Sequence, residues 1–262
     1  MKLFKQSVTS SSRGNDDLDD RYLSWTSGMG KKKLFSSDKV KGHEYFLNKL
    51  IDEQDNSKIL WSNNFAISGS TTKDVLKYQL PRLLEWSAKS HEQGAPDYTT
   101  LLIGMNDLCV SRIGFLAPAS EYYKDIREIV NTLLSKSDTS KVLLLTLPRV
   151  EQLRTNVSRA RVFGVLKCKR MWKSAKICPL FNIPRSSTER ETAIEYWNEY
   201  NTALVHVADE MRELYGDRLR LSTSPSEARL SKNDLAVDCF HPSASGQQKL
   251  ANETWQDTWW AH

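Results

Sequence analysis

Tyr98-Thr-Thr-Leu-Leu-Ile-Gly-Met-Asn106 carries the reading of this chain's fold. Its first part, Tyr98 to Ile103, is an apolar run bounded by turn residues, as expected of a strand buried on both faces. Gly104 then permits a sharp departure from the strand, because glycine alone tolerates the required backbone angles at no steric cost. Asn106 follows at the exit, where an exposed carboxamide can donate a hydrogen bond to a developing oxyanion. The same residues also suit a plain Gly-x-Asn-Asp turn.

Working outward, Lys141 to Leu147 reads as a second buried strand, stopped by Pro148. Between the two, Ile126, Ile129, Val130, Leu133 and Leu134 recur at helical spacing and predict a helix over Glu121 to Ser135. Upstream, Lys58 to Trp61 and Phe65 to Ile67 have strand character. They lead through Ser68-Gly-Ser-Thr-Thr72 into a helix over 72–90, interrupted or kinked near Pro81. Downstream, Thr188 to Tyr215 forms one long amphipathic helix. Arg218 to Leu221 supplies a short strand, and Ser243 to Trp260 a closing helix. This alternation predicts an α/β protein with a mostly parallel sheet and helices on both faces. Functional loops then gather at the carboxyl ends of the strands. No repeat or second boundary interrupts residues 1–262, which read as a single domain. The polar segment around 151–186, with two of the four cysteines, reads as an insertion.

Composition narrows the classes. A chain of 262 residues with 39% hydrophobic content and eight Trp can bury one substantial core. Net charge is only +5, and the basic run Lys31 to Lys33 lacks interleaved aromatics, which argues against a nucleic-acid partner. No apolar stretch approaches the ~18 residues of a membrane span. No signal peptide is visible in Met1-Lys-Leu-Phe-Lys-Gln6. Neither a Cys-x-x-Cys pair nor paired histidines suggests a metal site. The terminal Trp255, Trp259 and Trp260 read as packing of the last helix, with a membrane-contacting patch as the other reading.

Three further stretches can carry chemistry. In Asp238-Cys-Phe-His-Pro-Ser-Ala-Ser-Gly246, Asp238 and His241 stand three apart, which brings carboxylate and imidazole to one side of a turn. A carboxylate so placed fixes the histidine tautomer and stabilises imidazolium, as a base serving a serine requires. The alternative is a loop histidine beside a helix cap. In Phe65-Ala-Ile-Ser-Gly-Ser-Thr-Thr72, the Gly69 N–H can approach a ligand closely, or the Ser and Thr simply cap a helix. In Phe4-Lys-Gln-Ser-Val-Thr-Ser10, Ser7 would stand in the same crevice if it closed a first strand, and is otherwise part of a polar terminus.

In order and spacing these segments resemble the SGNH (GDSL) hydrolase family, and within it the phospholipase B-like lipases. Pro96 to Cys109 resembles that group's third block, Asp238 to Gly246 its fifth, and Ala66 to Thr71 its second. Leu23-Ser-Trp-Thr-Ser-Gly28 and the cysteine-bracketed Cys168 to Pro179 are similar to further segments of the subgroup. The resemblance implies a three-layer α/β/α sandwich with flavodoxin-like strand order. It implies Ser7 as nucleophile, His241 as base and Asp238 orienting it. It assigns the oxyanion hole to the Ser7 and Gly69 N–H groups and the Asn106 carboxamide. The activity it implies is hydrolysis of carboxylic esters by a lipase or phospholipase B-like acyl hydrolase. That reaction runs through an acyl-enzyme on an ester or lipid substrate, with no cofactor or metal and with transient contact to lipid surfaces. Secretion or a periplasmic location goes with it.

Spacing and resemblance together suggest a Cys168–Cys178 bridge, with Cys109 and Cys239 pairing across the site. The departure lies in block one, where Lys5-Gln6-Ser7 replaces Gly-Asp-Ser. Three explanations stay open. The chain is cut just before the motif, the altered turn still presents Ser7, or the fold is retained without hydrolysis. The corresponding alternatives are a catalytically silent lipid- or glycan-binding protein and an acetyl-carbohydrate esterase.

Overall fold

The computed structural model describes residues 39–54, 62–91, 94–162 and 165–261. Among them a parallel sheet runs β1 (Tyr98–Leu101), β2 (Lys141–Leu145) and β3 (Leu219–Ser222), in that spatial order. The register sets Thr99 beside Val142, and Leu144 beside Leu221. Five longer helices flank it: α1 (His43–Gln54), α2 (Leu80–His91), α3 (Ala119–Ser135), α4 (Ser187–Tyr215) and α5 (Ala244–Trp255).

Strand side chains alternate between two cores, which is why the runs read as continuously apolar. Leu101, Val142, Leu144 and Leu219 bury against α3 and α4, with Ile126, Val130, Leu204 and Val207 among the partners. Tyr98, Leu143 and Leu145 point to the opposite face, where Leu47 of α1 and Leu250, Ala251 and Trp255 of α5 cover them. A two-residue period along each strand thus feeds both outer layers, and the expected α/β/α arrangement follows. Trp259 and Trp260 pack edge-on to Tyr98, so the terminal aromatics extend the second core. His43 is fully buried there, between the Tyr98 hydroxyl and Thr254 Oγ1, each 3.0 Å from a ring nitrogen.

The long helices match their sequence signals closely. Ser186 caps α4 by accepting the Glu189 N–H, and Gly216 at φ +62° ends it. Before α2, residues Val75–Gln79 open into a π turn ahead of Pro81, which lacks the N–H an α-helix would need there. The interruption expected near Pro81 takes that form.

Two expectations need correction. Phe65 to Ile67 forms no strand, because the Asn64 side chain accepts the Ala66 N–H at 2.9 Å and turns the backbone locally. Ile67 is also 45% exposed, so burial does not favour a central strand there. The last helix stops at Trp255 rather than Trp260, and the chain closes in turns through Thr258. Lys58 to Trp61, Lys31 to Lys33 and Ser7 lie outside the described residues.

Candidate active site

The parallel sheet brings the loops after β1, β2 and β3 to one end, and the Asp238–His241 loop joins them. That loop is a tight hairpin: Leu235 bridges to Pro242, and the Ala236 N–H reaches the His241 carbonyl at 2.7 Å. Within it the two oxygens of Asp238 have separate tasks. Oδ1 accepts the N–H groups of Phe240 and His241 at 2.9 and 3.0 Å, while Oδ2 meets His241 Nδ1 at 2.5 Å. Burial pushes the Asp238 pKa upward. The hydrogen bond and charge of His241, with the two N–H groups, outweigh it and leave the carboxyl below its ordinary value. A carboxylate at Nδ1 places the proton there, which leaves Nε2 as the acceptor.

The loop over Ile67 to Ser70 and the Asn106 loop after β1 lock onto each other. Ile67 to Ser70 is a turn closed by the Ser70 N–H to the Ile67 carbonyl at 3.2 Å, with Gly69 at φ +77°. That angle is what the third residue of a type II turn takes, so glycine is required by conformation. A Cβ there would meet nothing within 4 Å, so space is not the constraint. Among the described residues the Gly69 N–H donates to no acceptor. Asn106 Nδ2 donates to the Ser70 carbonyl at 3.0 Å, so one amide hydrogen ties the two loops and the other stays available. Thr71 and Asp74 form a capping box, so this stretch caps a helix as well as presenting Gly69.

Gly104 is held twice over. Its φ of +124° suits glycine, and a Cβ would lie 2.6 Å from the Tyr122 hydroxyl. Tyr122 in turn donates to the Ile103 carbonyl at 2.9 Å and stacks on Tyr200.

Between these loops lies a cavity of about 110 Å³. Gly104, Asn106 and His241 give it its polar edge, and Ile103, Leu147, Val150, Leu153, Leu230 and Phe240 its apolar wall. Helix α4 fixes the β2 side of that wall: Asn201 accepts the Leu147 N–H at 2.8 Å, and Trp197 donates to the Pro148 carbonyl at 3.0 Å. The arrangement pairs an oriented imidazole and an amide donor with a largely apolar slot.

The cysteines form two bridges, and the expected pairing is overturned. Cys109 joins Cys178 and Cys168 joins Cys239, with Cα atoms 4.2 and 5.7 Å apart. The reason is helical: Cys168 opens the α-helix Cys168–Ala175, whose ~1.5 Å rise per residue carries the chain about 10 Å away before Cys178, just past its end, is reached, too far for one bridge. Each end of that helix is instead stapled to a different loop, one following Asn106 and one next to Asp238. Between the staples, fully buried Trp172 donates its indole N–H to the Asp238 carbonyl at 3.1 Å.

Two contributors went unnoticed in the sequence. Trp172 is one, and its signal was only its place between two cysteines. Asp107 is the other, beside Asn106. Its carboxylate accepts the Thr72 N–H at 3.2 Å and the Thr72 hydroxyl at 2.8 Å, fastening the helix behind Gly69. Burial raises its pKa to about 6, against the opposing hydrogen bonds from Thr72. The structure therefore brings Asn106 and His241 to one cavity, with Asp238 holding His241 from behind and Gly69 joined through the Ser70 turn; Ser7 lies outside the described residues.

Comparison with known proteins places this geometry in context. No curated protein matches the sequence. An α/β hydrolase called LAE5, from the metagenome of Lake Arreo in Spain, is 18% identical with a TM-score of 0.52, covering 100% of this chain and 96% of its own. Axe2, an acetylxylan esterase from Geobacillus stearothermophilus, is 16% identical with a TM-score of 0.51, covering 98% and 92%. At such identity these likenesses speak for the fold. The family model described as GDSL-like Lipase/Acylhydrolase family matches residues 24–249, a span that holds Gly69, Asn106, Asp238 and His241 and starts after Ser7. With most of its length inside that match, the chain belongs to the GDSL-like lipase/acylhydrolase family.

Proposed function

We propose that the protein hydrolyses carboxylic esters through an acyl-enzyme, with Ser7 as nucleophile, His241 as base and Asp238 holding it. The observation that carries this is His241, held through Nδ1 by Asp238, on the rim of an apolar cavity it shares with Asn106. In this reading the Ser7 hydroxyl attacks the acyl carbonyl while its proton passes to His241 Nε2. The oxyanion takes hydrogen bonds from the free Asn106 amide hydrogen and from the Gly69 and Ser7 N–H groups. Collapse expels the alcohol, which receives the proton from His241. Water activated by the same imidazole then releases the acid. Each oxyanion donor is worth about 2.7–4 kcal/mol of barrier.

The apolar wall supports an acyl group as occupant, in keeping with a lipase or phospholipase B-like acyl hydrolase on one domain spanning the chain. Two disulfides support an exported protein working in an oxidising compartment. Lys5-Gln6 before Ser7 is the feature that favours a second reading, a silent binding protein of the same fold. A fluorophosphonate probe separates the two. The proposal expects labelling that Ser7→Ala abolishes while the protein's melting temperature holds. Labelling that persists in the variant moves the nucleophile elsewhere, and no labelling of the native protein favours the binding reading.

A further inference from the structure

The cysteine-stapled segment carries a charge imbalance that the chemistry above leaves unused. Residues 152–188 hold nine Lys and Arg and no Asp or Glu, against a net +5 for the whole chain, so the remainder is net −4. The helix Cys168–Ala175 sorts these charges by face. Cys168 and Trp172, four apart, are fully buried against the site loops. Lys169, Arg170 and Lys173 occupy the opposite arc, and Lys176 continues it past the last turn; all four are exposed. Lys167, just before the helix, is exposed as well. None of these five side chains makes an ion pair among the described residues, although such pairs are common elsewhere on the surface.

Next to the cations stand exposed apolar side chains. A short hairpin pairs Arg161–Val162 with Leu166–Lys167 and delivers the chain directly into the helix. On it Val165 is 79% exposed and Leu166 41% exposed. Burial explains neither residue, and together with the exposed cations they combine the two attractions an anionic lipid surface offers. Cations are drawn to its negative potential, and small apolar groups enter the headgroup boundary. A soluble polyanion would use the charges and leave Val165 and Leu166 idle.

We infer that Val165, Leu166 and the outer face of Cys168–Ala175 form a docking surface for anionic phospholipid membranes. The face is rigidly indexed to the crevice, because both bridges of that helix run to the loops carrying Asn106 and Asp238. Docking therefore holds the cavity at a fixed attitude to the surface from which an amphiphilic substrate would leave. The inference concerns binding and stands apart from whether the cavity hydrolyses esters.

The test is co-sedimentation with vesicles of unhydrolysable ether lipids, comparing phosphatidylcholine alone with phosphatidylcholine containing phosphatidylserine. The protein should pellet with the anionic vesicles at low salt, remain in solution with the neutral ones, and be released by high salt. Each charge is worth about a fivefold change in partitioning, so the triple variant Lys169→Gln, Lys173→Gln, Lys176→Gln should bind roughly 100-fold more weakly. The variant Val165→Ser, Leu166→Ser should also lose vesicle binding yet keep its retention on heparin. Unchanged melting temperatures verify that both variants fold. Equal binding to the two kinds of vesicle, or none to either, overturns the inference. So does vesicle binding that the serine variant leaves intact, which would make this a site for soluble polyanions.

Discussion

Asp238 shows how one carboxylate can be both scaffold and chemistry. Its Oδ1 holds the loop and its Oδ2 holds the imidazole, so Asp238→Asn isolates the second task. The carboxamide oxygen can still accept both N–H groups, while its NH₂ faces Nδ1 and forces the proton to Nε2. Turnover should fall by on the order of 10⁴-fold with KM and melting temperature little changed. Steady-state kinetics on a soluble ester reads this out, and a loss confined to KM would contradict it. Asp107 poses the reverse case. Its pKa is raised from 3.8 to about 6 in the folded protein, so the fold binds its proton more tightly than the unfolded chain does. Its contribution is therefore full below pH 3.8 and is lost as pH rises through 6, about 3 kcal/mol in all. Asp238 is lowered and acts with the opposite sign, losing stability as pH falls. The clean measurement is a difference: urea unfolding of native protein against Asp107→Asn between pH 4 and pH 8. The Asn keeps an acceptor for Thr72, and the native protein's excess loss of stability on going to pH 8 should vanish in it.

At the scale of elements, the helix Cys168–Ala175 acts as a strut between two loops that have no direct covalent tie. Trp172 is its contact with the Asp238 backbone, so Trp172→Phe removes one donor from a half-buried carbonyl while keeping most of the ring. A cost of roughly 1–3 kcal/mol in stability is expected from the unsatisfied acceptor. If the indole positions Asp238, kcat also falls while KM holds; a variant with native kcat at a temperature well below its melting point would make Trp172 merely structural. This strut marks a limit of legibility. Asp238 and His241 could be read directly, because three residues of separation determine their encounter. Gly69 and Gly104 were legible because only glycine suits their backbone angles. The bridges were not, since a helix of unknown extent lay between Cys168 and Cys178 and decided which partners came within reach. Thr72 and Asp107 meet across 35 residues, and no local pattern announces that contact. Phe65 to Ile67 misled for a related reason: its apolar run favours a strand, but a single Asn64 side chain took the backbone donor the strand would have used.

For the whole molecule, the layered fold itself was the most legible feature, since two cores served by alternating strand residues need runs such as Tyr98 to Ile103 and Lys141 to Leu147. What those layers enclose at the carboxyl end of the sheet then sets substrate choice. Leu147 and Pro148 are clamped by α4, and Ile103 by Tyr122, so the apolar wall belongs to the rigid framework. A cavity of about 110 Å³ is small beside the roughly 300–1,000 Å³ pockets that hold drug-sized ligands. The slot therefore accommodates the first few carbons of an acyl chain, and longer tails must trail from its mouth. Burial contributes about 0.8 kcal/mol per methylene only while the added carbon finds apolar wall. Across a series of soluble 4-nitrophenyl esters, kcat/KM should therefore climb severalfold per added pair of carbons from acetyl to butyryl. It should then level off or fall beyond the length the slot encloses. Replacing Leu153, fully buried on that wall, by Ala should move the maximum to longer chains. A maximum at acetyl that ignores Leu153→Ala would instead favour acetylated carbohydrate as the substrate, and a rate that rises unbroken to long chains would show that the acyl group lies outside this cavity.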